Sequence, residues 1–240
     1  MLRRLSRLTI AGPLVLALAA TLAGCGQPSA GGPGAAVTAS PTPSVAALTG
    51  VKGAVSFDEG YVTIGTGPKI VDLYLDPMCP YCKLFEQTSG PMLLDEAQGG
   101  RATLRVHPLA ILNRFSQGTD YSTRAAAVFA AASALSPAKA SAYLSAMYAA
   151  QPKENTPGLT DAQLIELGTK AGVDASLAHV DLAPYRAWVD TQTTRATTGP
   201  LTTTREVPAV RQVPTVMVDG AVFTANSDQK DAFLLFYMAK

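Results

Sequence analysis

The 240-residue chain is poor in the residue types that hold metals and grip nucleic acids. It has two histidines, His107 and His179, and three cysteines, Cys25, Cys79 and Cys82. A structural zinc site takes four nitrogen or sulfur ligands, and beyond Cys79 and Cys82 these residues show no paired ligand spacing, so no metal and no cofactor is expected. Charged residues make up 15% of the chain and the formal net charge is +1. No basic cluster interleaves with aromatics, which excludes a nucleic-acid binder of the usual kind. After the N-terminal segment there is no second apolar run long enough to span a bilayer, and there is neither a heptad array nor a repeat.

What is present begins with a processing signal. Arg3, Arg4 and Arg7 form a positive start, and an apolar stretch runs from Ile10 to Leu22 with Gly12 and Pro13 inside it. That is a secretory signal, too short and wrongly flanked for a membrane span, and it is left out of fold reasoning. Leu22-Ala23-Gly24-Cys25 resembles the bacterial lipobox. The resemblance implies that Cys25 becomes the lipidated first residue after cleavage at 24, anchoring the protein outside the cytoplasm at the cell membrane. Removing the three arginines of the signal from the 19 basic residues leaves 16 against 18 acidic ones. Residues 25–50 are rich in Gly, Pro, Ala, Ser and Thr and cannot bury a core, so they read as a flexible tether. The folded part is expected over 51–240, as one domain with an insertion.

Within it, Val55–Phe57 and Tyr61–Ile64 read as strands about an Asp58-Glu59-Gly60 turn. Lys69–Leu75 is apolar and β-rich, the expected central strand. Pro80–Gln98 reads as one helix closed by Gly99-Gly100, and Ala102–His107 alternates as a strand. Residues from 117 to about 198 are mostly Ala-rich and helical, with breaks near Pro137, Pro152–Gly158 and Gly172–Asp174. Thr215–Val218 and Ala221–Thr224 flank Asp219-Gly220, a hairpin signal, and Asp228–Met238 reads as a closing amphipathic helix. The order is α/β, with a helical block interrupting a β-α-β and β-β-α arrangement. Phe129, Tyr185 and Trp188 are expected in the core, His179 on the surface or in packing, and Lys83 and Glu86 facing solvent.

The chemistry concentrates in Asp76-Pro-Met-Cys-Pro-Tyr-Cys-Lys-Leu-Phe85. The strand ends near Asp76 and Cys79 falls at the start of the next helix. Pro80 suits the first helical position, where its missing N–H costs nothing. Cys79 then meets the unsatisfied N–H groups and the positive end of the helix dipole, which favour the thiolate. Cys82, one turn on, is expected to be more buried than an exposed Cys79. Such a pair suits dithiol–disulfide exchange, with Cys79 the nucleophile and Cys82 resolving the mixed disulfide. A purely structural disulfide across so short a loop would stabilise little.

These residues resemble the thioredoxin superfamily, and in particular its DsbA-like branch, whose members often carry an Asp a few residues before Cys-Pro-x-Cys. The helical block and Arg211-Gln-Val-Pro-Thr-Val-Met-Val-Asp-Gly220 resemble that branch too. The resemblance implies a thioredoxin fold with a central mixed β-sheet and an inserted α-helical domain. It implies that Pro214 is a cis-proline, that Val213 and Pro214 bind substrate by main-chain pairing, and that Pro80 and Tyr81 tune the redox-active Cys79–Cys82 disulfide. It implies partners of two kinds: partly folded exported polypeptides with cysteines, and a membrane quinone-linked protein that regenerates the disulfide. One departure stands out. Family members often carry a buried acid on the strand six residues before the first cysteine, where this chain has Leu73, and Asp72 alternates to the other face. His107 reads as structural, its ring near the motif. Val213 ahead of the proline, and the lack of a separate dimerisation domain, favour an oxidase. Isomerase and reductase share the motif, and a thioredoxin-fold chaperone or binding lipoprotein is the alternative of another class.

Overall fold

The computed structural model describes residues 46–240. The signal segment, Cys25 and most of the tether lie outside the described residues. Among the described residues, seven strands form one sheet in the order β1-β2-β3-β5-β4-β6-β7. They are β1 (Val51–Lys52), β2 (Val55–Ser56), β3 (Tyr61–Gly65), β4 (Lys69–Leu75), β5 (Ala102–Pro108), β6 (Thr215–Val218) and β7 (Ala221–Val222). Only β4 and β5 run parallel, in register from Lys69 opposite Ala102 to Leu75 opposite Pro108; every other neighbouring pair is antiparallel. Residues 71–75 of β4 are all buried, as expected of a strand covered on both faces. Strand alternation then divides its side chains. Val71, Leu73 and Leu75 join the larger core with Cys79, Cys82 and Phe85, while Tyr74 joins Leu109, Ala196, Val210 and Met217 in a smaller one.

Among the described residues there are seven α-helices: α1 (Pro80–Thr88), α2 (Gly90–Gln98), α3 (Tyr121–Leu135), α4 (Ala140–Ala149), α5 (Asp161–Lys170), α6 (Ala183–Thr198) and α7 (Lys230–Ala239). The single helix expected over 80–98 is divided at Ser89. Pro91 lacks the N–H that would bond Gln87, and its ring would strike that carbonyl, so the chain ends α1 and restarts with proline in the first turn of α2. The last strand stops at Val222, two residues short of the expected Thr224, and α7 begins at Lys230 rather than Asp228. Phe233 of α7 fixes that helix against the sheet side, edge-on to Phe85 at 5.0 Å and to Phe223 at 5.1 Å.

The inserted helices pack around α3. Thirteen of its fifteen residues are buried, and seven of them are alanines. A helix apolar on all sides belongs in an interior, and small side chains let its neighbours approach closely. Asp161, at the start of α5, pairs with Arg124 of α3 at 3.0 Å and with Arg186 of α6, tying three helices together. Thr160 and Gln163 form a capping box that starts α5. The insertion is also bonded to the sheet edge. Trp188 of α6 donates its indole N–H to the Phe57 carbonyl at 2.8 Å, and Ala54 N–H bonds the Ser133 carbonyl of α3 at 3.0 Å. Gly53 makes that approach possible: its φ is +57°, and a Cβ there would sit 2.3 Å from the Ala134 carbonyl oxygen.

Glu86 does not face solvent. It is 9% exposed, and its carboxyl lies towards Ser145 of α4. The helical insertion covers the face of α1 that the sequence pattern left open. Lys83 is half-buried, its Nζ 3.4 Å from the Ala149 carbonyl oxygen. Burial pushes the Glu86 carboxyl from 4.5 up to about 7, against the hydrogen bond from Ser145. The unfolded chain releases this proton near 4.5 and the folded chain near 7. Stability therefore falls as pH rises through that window and is constant above it. Glu86→Gln removes this fall. Relative to the parent, the variant gains about 3 kcal/mol between pH 4 and pH 8, read from denaturant unfolding at the two pH values.

Candidate active site

The end of β4 delivers the chain into a tight turn, closed by the Cys79 N–H on the Asp76 carbonyl at 3.0 Å. Cys79 is the residue that caps α1, with extended backbone at φ −73° and ψ 118°, and Pro80 takes the first helical position. Tyr81 projects outward at 64% exposure. Cys82 is wholly buried, and the Asp76 N–H points at its sulfur at 3.5 Å. Both cysteines are free thiols. Cys79 is only 3% exposed, not the open thiol that helix position suggests. The loop ahead of β6 lies over it, and its Sγ donates to the Val213 carbonyl at 3.3 Å.

The two sulfurs differ in electrostatics more than in burial. The Cys82 thiol first, and then the backbone N–H groups of Cys82 and Tyr81 at the open end of α1, bring the Cys79 thiol below its ordinary value, against burial and the negative Asp76. Cys82 goes the other way. Burial, with its donation to Cys79, holds it well above the ordinary thiol range. One sulfur is set to carry charge and its partner to keep a proton.

The loop over Cys79 contains a cis Val213–Pro214 bond, and both residues are half-buried. Thr215 follows directly into β6 opposite Tyr74. A groove runs beside the motif, lined by Tyr81, Leu84, Val213, Pro214, Phe223 and Ala225. A second cis bond, Gly199–Pro200, lies at the end of α6, with no local signal for it in the chain.

Asp76 is a site residue whose role is not legible in the sequence. It is fully buried. Its Oδ1 accepts from the Met78 N–H at 2.8 Å and the Ser122 hydroxyl at 2.7 Å, and its Oδ2 from the Leu112 N–H at 2.8 Å. Burial raises its carboxyl from 3.8 to about 6, against these donors. The only hint in the chain is the Asp-Pro-x-Cys spacing, which suits an Asx-turn; the partners at 112 and 122 are remote in sequence. Leu73 points into the core beneath the motif, so the acid near the cysteines comes from the strand end and not from its interior.

His107 lies away from the motif. Asp72 and His107 face the opposite side of the sheet, where Nε2 meets Asp72 Oδ1 at 2.9 Å and the ring stacks on Tyr74 at 4.0 Å. The one-residue offset between Asp72 and Leu73 sends the acid and its histidine partner to that face together. His179 is exposed on a 3₁₀ turn of the insertion.

The family model described as Thioredoxin matches residues 62–233, most of the chain. Oxidised DsbA from Mycobacterium tuberculosis superposes with a TM-score of 0.59 at 25% identity, covering 69% of this chain and 86% of that one. The disulfide bond oxidoreductase DsbG of the same organism gives 0.60 at 23% identity, over 75% and 86%. MdbA, a thiol–disulfide oxidoreductase from Actinomyces oris, gives 0.59 at 19% identity, over 79% and 93%, a likeness of fold. Among curated proteins, the serine/threonine-protein kinase PknE of M. tuberculosis is 29% identical over 121 residues, 49% of this chain. The chain spans only 21% of that relative's length. With a matched model over most of its length and a dithiol at the head of α1, the chain belongs to the thioredoxin family and is similar in structure to DsbA-type thiol–disulfide oxidoreductases.

Proposed function

We propose that the protein is an exported, lipid-anchored oxidase that passes the Cys79–Cys82 disulfide to cysteines of exported polypeptides. The observation that carries this reading is the placement of the two thiols, Cys79 at the open start of α1 beneath the Val213 carbonyl and Cys82 wholly buried one turn on, which lowers the first and raises the second. A stabilised thiolate stabilises the reduced pair, which makes the disulfide a stronger oxidant. In the exchange, a substrate thiolate attacks Cys79 Sγ. The Cys79–Cys82 bond breaks, a mixed disulfide forms, and Cys82 leaves as a thiolate that takes up a proton. The substrate's second thiolate then attacks its own half of the mixed disulfide, forming the substrate disulfide and releasing Cys79 as the thiolate that the start of α1 favours. The enzyme has gained the two electrons that the substrate lost.

The groove beside Tyr81 and the Val213–Pro214 loop supplies the binding surface. The Val213 carbonyl, already within reach of Cys79, would accept a main-chain N–H from an extended substrate, a mode that reads backbone more than side chains. Lipidation at Cys25 would hold the enzyme at the cell membrane, near a quinone-linked partner able to reoxidise it. Among the described residues no helix is long and apolar enough to cross a membrane. A second reading, a reductase, is favoured by the Asp76 charge, which opposes the thiolate on both cysteines.

The reduction potential of the pair separates the two. After equilibration in glutathione buffers and thiol trapping, an oxidase stands well above the glutathione couple; a value near that of thioredoxin assigns the reductase direction. Cys82→Ser leaves Cys79 to react without a resolving thiol, so mixed disulfides with substrate persist on non-reducing gels. Cys79→Ser gives none. A double serine variant that retains full function would leave only a binding role for the fold.

A further inference from the structure

The helical insertion touches the motif through three side chains. Ser122, the second residue of α3 and fully buried, donates to Asp76 Oδ1 at 2.7 Å. Tyr148 of α4 donates to the Asp76 carbonyl at 3.2 Å. Gln151, just beyond α4, donates from one amide nitrogen to the carbonyls of both Pro77 and Cys79, each at 2.9 Å. These bonds converge on the turn that sets the two sulfurs. Asp76 sends its N–H to Cys82 Sγ and takes the Cys79 N–H on its carbonyl, so it contacts both cysteines through backbone while its side chain is held by the insertion.

We propose that the helical insertion sets the redox balance of the cysteine pair, with Ser122 and Gln151 as its positioning residues. Ser122 keeps the Asp76 carboxylate charged and oriented beside the pair. Gln151 fixes the carbonyls at the head of α1, so that the helix N–H groups stay directed at Cys79. The two act with opposite signs. The Asp76 charge opposes the thiolate on both cysteines, so the Ser122 hydroxyl, by favouring that charge, restrains the thiolate. The aligned N–H groups favour the thiolate, so Gln151 supports it. The titratable groups facing Asp76 are Cys79 and Cys82 from α1, Tyr121 from α3 and Tyr148 from α4; Glu86 of α1 faces Tyr148 in turn. The Asp76 carboxylate acts on both sulfurs. The inference rests on thiol–disulfide exchange at this pair and holds for either direction of that exchange.

The test compares purified parent protein with Ser122→Ala, Ser122→Thr, Gln151→Leu, Asp76→Asn and the Ser122→Ala/Asp76→Asn double variant. Two quantities are read: the equilibrium with glutathione, and the pH midpoint of the thiolate absorbance. Ser122→Ala is expected to shift the equilibrium several-fold towards the reduced pair and to lower the thiolate midpoint. Asp76→Asn goes further in the same direction, and the double variant matches Asp76→Asn alone, because Ser122 acts through that carboxylate. Ser122→Thr keeps the parent values. Gln151→Leu moves both quantities the other way. A role confined to stability would move the two insertion variants alike. Additive effects of Ser122→Ala and Asp76→Asn, or shifts of one sign in Ser122→Ala and Gln151→Leu, overturn the inference. Gln151 is half-buried, so its variant tests the idea even where Ser122→Ala does not fold: an unchanged equilibrium there overturns it as well. A pair that exchanges with glutathione in no variant, parent included, removes the oxidoreductase reading itself, a result distinct from exchange that ignores Ser122 and Gln151.

Discussion

A carboxylate buried without partners is too costly to persist, and Asp76 is a buried carboxylate. Its donors come from three stretches: the motif turn at Met78, the loop after β5 at Leu112, and α3 at Ser122. Satisfying it joins the end of β4, the end of β5 and the first helix of the insertion at one point. The cysteine pair hangs from the backbone of the same residue, N–H to Cys82 and C=O to Cys79. The redox turn therefore has its observed geometry only once the insertion has folded against the sheet.

The electrostatics of the pair follow from that arrangement. The Cys82 thiol and then the open N–H groups of α1 favour a thiolate at Cys79, while burial and the nearby Asp76 oppose it. These influences oppose one another, so changes in the donors around Asp76 or in the orientation of the helix start shift the balance. The charge balance at the two sulfurs thus depends on what is packed behind the motif.

The sheet keeps a second polar pair out of this chemistry. Asp72 and His107 are buried together on the far face, under α6 and the segment leading to β6, with Tyr74 stacked on the ring. Burial favours the neutral imidazole and the Asp72 carboxylate favours the charged one, and burial prevails. The pair links β4 to β5 at their parallel junction, the strands from which the motif turn and the Asp76-binding loop both emerge.

Local signals were readable in the sequence because they depend on neighbours in the chain. Strand alternation in β4, the Asp-Gly turn, the breaks between inserted helices, and the Cys-Pro-Tyr-Cys at a helix start all act over a few residues. Periodicity continued through Pro91 and predicted one helix where backbone sterics require two. The face of Glu86, the cover over Cys79, and the side of the sheet taken by His107 depend on contacts between residues tens to more than a hundred positions apart. The sequence by itself determined that two thiols of unequal environment stand at the start of α1. Only the tertiary structure decided that Asp76 is their acid and that α3 and α4 hold it, because a buried charge is defined by which distant donors reach it.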